Sequence, residues 1–188
     1  MKIRIAPAAV LYFFMLATGK HHLLAATLLA ALFHECGHLL AARWLGVRVR
    51  LLEIDLLGAK LYPFGFISSY RQELLLAAAG PLFSLMLGVF LLPHASTPFF
   101  SALLRATLSF ALFNLLPIRD FDGGRVLHAA LSRLFGTDTA DRTLAVSSYL
   151  ALLFLFSLSS CILLRYGQNL ALAVLSASLF AKLFLPQK

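Results

Sequence analysis

Long apolar runs, several of them close to the length needed to cross a hydrocarbon core, dominate this sequence. Of its 188 residues 61% are hydrophobic and only 13% are charged, whereas soluble domains average about 25% charged residues. We therefore predict an all-α polytopic membrane protein of about six transmembrane helices, forming one domain over residues 1–188. The predicted spans are residues 5–19, 23–44, 73–92, 99–116, 144–164 and 169–185.

The first of these spans is short and follows Lys2 and Arg4, so a signal peptide is the alternative interpretation. We favour a retained helix, because no small-residue cleavage site stands out. Positive charge then sets the orientation: thirteen of the sixteen lysines and arginines fall on the side of both termini, against Lys20, Arg105 and Arg165 on the other. The positive-inside rule predicts that both termini are cytosolic, in a bacterial cytoplasmic membrane.

The net charge of +8 does not indicate a nucleic-acid partner, because the basic residues flank apolar runs and form no patch with interleaved aromatics. The two cysteines, Cys36 and Cys161, lie in apolar runs and are too few for a disulfide framework. Because the sequence is 61% hydrophobic and its basic residues flank apolar runs, the partner that the composition predicts is the lipid bilayer.

The second predicted span contains the motif His34-Glu35-Cys36-Gly37-His38. On a helix, histidines four residues apart share one face and can bind one Zn²⁺, and the adjacent glutamate can act as general base. Ionisable residues inside a membrane helix are costly, so a function is the default interpretation. His34 lies roughly 16 Å below the start of the span at Leu23, which predicts an active site in the cytosolic half of the membrane.

Residues 47–70 alternate between apolar and polar positions, with one slip of phase after Leu51 and a turn residue at Gly58. This pattern predicts a membrane-associated β-hairpin with one bulge between the second and third spans. A solvated interfacial loop is the alternative. On the third span, Gly80, Ser84 and Gly88 form a ridge of small residues that we interpret as helix packing and not as chemistry.

A catalytic zinc site needs a third protein ligand, and a water or the substrate takes the fourth position. The candidates are Asp120, Asp122 and His128, just beyond the fourth span. Asp120 and Asp122 would face the same side of an extended stretch, so alternation alone does not separate them. Pro117 is expected to end the fourth span, and Gly123 and Gly124 to form a tight turn after the ligand. A short helix is predicted at residues 126–135.

Three segments occur in the order expected for one family: the motif at 34–38, Ala79-Gly80-Pro81, and the stretch Asn114 to Gly124 that ends in Asp122-Gly123-Gly124. Together they resemble the site-2 protease family of intramembrane metalloproteases, over a core of about residues 23–127 with additional helices at 1–20 and 143–185. The Asn-Leu-Leu-Pro-Ile segment is most similar to the sporulation group typified by the stage IV sporulation protein FB. The cytosolic CBS domain usual in that group does not occur in this sequence.

The resemblance implies one Zn²⁺ per chain, bound by His34, His38 and Asp122, with Glu35 as the catalytic base and acid. It further implies that Asn114 helps to bind the substrate and that the hairpin guides an unwound substrate segment. The implied substrate is a transmembrane or membrane-tethered protein, such as a transcription-factor precursor, and membrane-protein regulators are the implied partners. The alternatives are a metal-ion transporter, which would need more polar residues on the last two spans, and a catalytically silent protein of the same fold.

Overall fold

The structure, a computed structural model, describes residues 2–5, 21–55, 58–63 and 69–166. Its described helices are α1 (His21–Trp44), α2 (Tyr70–Leu91), α3 (Pro98–Asn114), α4 (Asp122–Phe135) and α5 (Thr137–Tyr166), with a 3-10 turn at Leu92–His94 between α2 and α3. The strands are β1 (Lys2–Ile5), β2 (Val49–Asp55) and β3 (Gly58–Pro63). The predicted sixth span and nearly all of the first lie outside the described residues, and Ile5, assigned to the first span, belongs to β1 instead.

Three helical stretches are long and apolar enough to cross a membrane: His22–Trp44, Tyr70–His94 and Thr137–Arg165. They contain the predicted second, third and fifth spans. The fourth predicted span corresponds to α3, which has 17 residues. Large apolar side chains on the outward face of α2 are exposed, among them Met86, Val89 and Phe90 at 67%, 68% and 67%. An apolar face of this size suits a hydrocarbon solvent, so the helical part is that of a multi-pass membrane protein.

Helix α1 packs against both α2 and α3, and α4 packs against α2 and α5. Small buried side chains permit these contacts: Ala26 and Ala30 of α1 meet Ala102 of α3 in one apolar cluster. A second cluster joins Ile118 and Phe121 to α5 through Leu152 and Leu155. The helix that carries the histidine motif is therefore enclosed by α2 on one side and α3 on another.

Local signals explain where several helices end. Helix α1 closes with Gly46 at a φ of +69°, and Val47 N–H donates to the Ala42 carbonyl while Gly46 N–H donates to Arg43, as in a Schellman motif. Helix α3 ends at Asn114, three residues before Pro117, as the proline predicts. Helix α5 begins at Thr137, earlier than the predicted residue 144, because polar residues extend it by about two turns beyond the apolar run.

The strands form one sheet in the order β1-β2-β3, with β2 and β3 antiparallel and β1 parallel to β2. The register of β2 and β3 shifts between Val49 and Leu51, earlier than the slip of phase in the sequence, and Gly58 opens β3. Strand β1 was not predicted, because nothing local in four residues signals pairing with a segment more than 40 residues away. Whether this sheet lies against a membrane stays a prediction.

The expected tight turn at Gly123 and Gly124 is wrong. Both residues lie in the first turn of α4, which begins at Asp122, four residues before the predicted start at 126. Their lack of side chains serves close packing: a Cβ at Gly123 would overlap the Leu115 carbonyl, and one at Gly124 would overlap the Ile118 carbonyl. The glycines allow α4 to start directly on the backbone that precedes it.

This close approach predicts a large effect of a single methyl group. Gly124→Ala should lower the free energy of unfolding by about 3 kcal/mol, because the Ile118 backbone cannot yield as a flexible side chain would. Gly46→Ala is the matched control: it meets no atom within 4 Å and costs only its left-handed backbone, about 1 kcal/mol. Unfolding of the purified proteins in detergent measures both. Equal losses for the two variants would contradict the packing described for α4.

Candidate metal centre

Two histidines and one aspartate from two helices converge in the interior. His34 and His38 lie on one face of α1, and Asp122 is the first residue of α4. Nε2 of His34 and Nε2 of His38 each lie 3.1 Å from the same atom, Oδ2 of Asp122. All three side chains are buried, with 2%, 3% and 9% of their residue surface exposed. Among the described residues, these three form a group whose potential ligand atoms all lie within 4.8 Å of one another, close enough to bind one metal ion.

The outer nitrogen of each imidazole is also held. Nδ1 of His38 donates to the Leu76 carbonyl at 2.8 Å, and a carbonyl oxygen can only accept. A neutral His38 therefore presents the Nε2 lone pair to Asp122. Nδ1 of His34 lies 3.0 Å from the Ser84 hydroxyl, which is itself fully buried. Partners of this kind orient a metal-binding histidine and select its tautomer.

The donor set fits a zinc ion. A nitrogen and a carboxylate oxygen that both present lone pairs repel each other at 3.1 Å unless a proton or a metal ion lies between them. Ligands at the usual zinc distances of about 2.0–2.1 Å in a tetrahedron stand roughly 3.3 Å apart, close to the spacing found here. His34, His38 and Asp122 would supply the three protein ligands of a catalytic site, which keeps one position for water or substrate.

The carboxylate of Asp122 is stabilised as an anion. Burial raises the pKa of this carboxyl, but with protons on both Nε2 atoms the hydrogen bonds from His34 and His38 outweigh burial and lower the pKa to about 2. Its second oxygen, Oδ1, lies 3.9 Å from Nη1 of Arg125, one turn further along α4. The N-terminus of a helix also favours a negative charge. Asp122 is thus kept ionised and oriented, as a metal ligand must be.

The other candidates for the third ligand lie outside the cluster. His128 pairs with Asp141 of α5 at 3.3 Å, as a surface residue of α4. Asp120 is half-buried and is not among the converging ligand atoms. Arg119, which directly precedes Asp120 in the sequence, has its guanidinium 3.5 Å from Asp141. The geometry therefore separates Asp122 from Asp120, which alternation in the sequence could not do.

Glu35 and Asn114 are the two other residues that the sequence analysis predicted for the site. Glu35 follows His34 on α1 and is half-buried. Asn114 ends α3, and its Nδ2 donates to the Phe110 carbonyl of the same helix at 3.0 Å. Phe110 in turn lies beside the His34 ring, with ring centroids 6.1 Å apart. The end of α3 therefore reaches the neighbourhood of the cluster.

The ridge of small residues on α2 packs against the neighbouring helices, and two of its members also contact the cluster. Ser84 is hydrogen-bonded to His34, and a Cβ at Gly80 would collide with Nε2 of His38 and come within 2.8 Å of Nε2 of His34. Gly88 fits the packing interpretation, since it faces Leu108 of α3. The spacing of four residues between Gly80 and Ser84 predicts that they share one face of α2. The sequence does not predict the rotation of α2 that places this face against α1.

Comparison with known proteins agrees with this geometry. Residues 93–158 match the model of peptidase family M50. A curated zinc metalloprotease of Methanocaldococcus jannaschii is 30% identical over 120 residues, which cover 57% of this chain and 33% of that protein. The chain thus spans about a third of the length of the curated relative it matches.

A solved structure shares the fold. The structure of a site-2 protease from Methanocaldococcus jannaschii matches 96% of this chain and 88% of its own, with a TM-score of 0.67 at 24% sequence identity. At this identity the likeness shows the fold alone. The sequence matches are thus to peptidase family M50 and to a zinc metalloprotease, and the fold resembles that of a site-2 protease.

Proposed function

We propose that this chain is an intramembrane zinc endopeptidase that cleaves a transmembrane or membrane-tethered protein. The observation that carries the proposal is the buried convergence of His34, His38 and Asp122, beside Glu35 on the same helix. A bound Zn²⁺ would polarise the scissile carbonyl and make the attacking water more acidic. Glu35 would accept the proton of that water and pass it to the leaving amine.

The substrate must be held extended, because a peptide bond inside a helix is shielded by its neighbours. Strand β3 lies at one edge of the described sheet, with β2 on its other side. We propose that an unwound substrate segment pairs with this edge, since an exposed strand edge offers a row of backbone donors and acceptors. Asn114, at the end of α3, is proposed to contact the substrate chain near the scissile bond.

Two finer assignments belong to the proposal. The segment from Asn114 to Ile118 supports a place in the sporulation group typified by the stage IV sporulation protein FB, with a transcription-factor precursor as substrate. A bacterial cytoplasmic membrane with both termini in the cytosol is supported by the charge asymmetry of the loops. The active site would then lie in the cytosolic half, since His38 is only about 9 Å of helix from Trp44 at the end of α1.

The third ligand can be tested against its neighbour two residues away. Asp122→Asn should weaken zinc binding more than about tenfold, because the amide retains the shape but loses the charge that offsets the metal. Asp120→Asn is the matched control and should keep zinc within about twofold. Zinc content after dialysis against a graded chelator measures both. If Asp120→Asn loses the metal and Asp122→Asn retains it, the assignment is wrong.

The base can be separated from the ligands. Glu35→Gln should lower proteolysis by at least about 100-fold, because general acid–base groups contribute that much, while zinc stays near one equivalent per chain. Glu73→Gln, in the first turn of α2, is the control carboxylate. New peptide termini in membranes that express each variant, read by mass spectrometry, measure cleavage.

Wild type and Glu35→Gln together also separate the alternative functions. Fragments that require Glu35 support the protease. A wild type that moves Zn²⁺ into proteoliposomes and produces no such fragments would favour the transporter, and a wild type that does neither would favour a silent protein of the same fold.

Orientation is measurable with reporters. A fusion at Lys188 and one in the Gly136 link between α4 and α5 should report the cytosol, whereas one in the 93–97 link between α2 and α3 should report the opposite side. The Gly136 fusion serves as the internal control, because it lies one proposed span away from the 93–97 loop. Reporters at 93–97 and Gly136 on the same side would contradict the proposed orientation.

A further inference from the structure

Two adjacent serines of α5 bind the irregular backbone that leads to Asp122. The Ser148 hydroxyl accepts the Arg119 N–H at 3.0 Å and lies 3.4 Å from the Pro117 carbonyl, to which it donates. The Ser147 hydroxyl donates to the same Pro117 carbonyl at 3.0 Å, and its own helix offers the Leu144 carbonyl at 3.1 Å as a second acceptor. We call Ser147 and Ser148 the serine pair.

These bonds satisfy backbone groups that no helix can satisfy. Residues 115–121 lie between α3 and α4, and irregular backbone at membrane depth is tolerated only where other groups take up its donors and acceptors. Ile118 and Phe121 find partners within the stretch, at 2.8 and 2.9 Å. The serine pair serves Pro117 and Arg119. Ser148 has no exposed surface, so water does not replace its hydroxyl.

Residues 115–121 also support the first turn of α4, which carries the proposed metal ligand Asp122. Gly123 lies directly on the Leu115 carbonyl and Gly124 directly on the Ile118 carbonyl, with no room for a Cβ. Arg125 N–H donates to the Phe121 carbonyl at 3.2 Å. A shift of Pro117 to Arg119 would therefore move the first turn of α4, and Asp122 with it. Oδ2 of Asp122 has to meet two imidazoles at 3.1 Å, which leaves little tolerance for such a shift.

We propose that Ser147 and Ser148 are positioning residues that set the place of Asp122 and thereby the affinity and geometry of the metal site. The inference rests on the proposed zinc site and names the part of α5 that supports it. Chain separation argues for a dedicated contact: the serine pair lies about 30 residues after Pro117 and outside the three segments that carry the family resemblance. The role is distinct from catalysis, since neither hydroxyl belongs to the ligand cluster.

Helix α5 offers a matched control. Ser159 has no exposed surface, as Ser148 has none, and its hydroxyl donates to the Phe156 carbonyl of its own helix at 3.1 Å. Replacing Ser159 by alanine removes the same atoms from the same helix at the same burial. It leaves the contacts of residues 115–121 unchanged.

The test uses full-length wild type, Ser148→Ala, the double variant Ser147→Ala/Ser148→Ala and Ser159→Ala, purified in detergent and stripped of metal. Affinities for Zn²⁺ and Co²⁺ are measured by competition with a chelator. The visible absorption of bound Co²⁺ reports the ligand geometry, and thermal unfolding of the stripped proteins reports stability separately. These readouts do not depend on a substrate.

We expect the double variant to bind both metals at least about tenfold more weakly, which is the range for loss of an outer partner of a metal ligand, with an altered Co²⁺ spectrum. Ser148→Ala alone should lose about threefold, the equivalent of one net hydrogen bond. This single variant decides between the outcomes if the double variant does not fold. Ser159→Ala should bind within about twofold of wild type, because it removes no contact of residues 115–121.

The outcomes distinguish this inference from the proposed function. Wild type that binds neither metal would overturn the zinc site itself. Wild type that binds both, with serine variants of equal affinity and unchanged spectrum, would overturn the positioning role alone. A serine variant that unfolds at a lower temperature yet binds metal as wild type does would likewise overturn the positioning role, because the pair would then act only on folding.

Discussion

A carboxylate oxygen held 3.1 Å from two imidazole nitrogens in a buried place is the interaction on which the rest of this structure depends. Lone pairs that face each other at this distance need a cation or protons between them. Because the site is buried, water does not stabilise the carboxylate charge. The neighbouring contacts therefore have to hold the carboxylate and the two imidazoles together. The Leu76 carbonyl, the Ser84 hydroxyl and the Arg125 guanidinium are the groups that do so.

Small residues make that convergence sterically possible. Gly37 of α1 lies against the Ala79 carbonyl and Phe83 of α2, Gly80 against both imidazoles, and Gly123 and Gly124 against the backbone after α3. In a membrane, close helix contacts of this kind replace the hydrophobic effect as the source of association, because lipid tails are as apolar as leucine. The glycines that pack the helices are therefore the ones that shape the candidate metal centre.

The local part of the site was predictable. Histidines four residues apart on a helix share a face whatever surrounds them, so the side-by-side placement of His34 and His38 in the cluster follows from their spacing. The second, third and fifth spans followed equally from the length of the apolar runs. Choosing Asp122 over Asp120 required the resemblance to a family, because both are compatible with an extended stretch.

The non-local part was not predictable. Which residue of α2 contacts which histidine depends on how α1 and α2 are rotated against each other. The small residues of α2 are equally compatible with helix packing alone. Gly123 and Gly124 were expected in a turn, because glycine signals both turns and close contacts, and only the position of the Ile118 carbonyl distinguishes the two. The same holds for Ser147 and Ser148, whose partners lie about 30 residues away.

X-ray absorption at the zinc edge of the purified wild-type protein tests the central claim most directly. The account predicts about one zinc per chain with nitrogen and oxygen ligands at about 2.0–2.1 Å and the scattering pattern of two imidazoles. A shell at about 2.3 Å would indicate sulfur ligands, and a single imidazole or no bound zinc would also contradict a centre built from His34, His38 and Asp122.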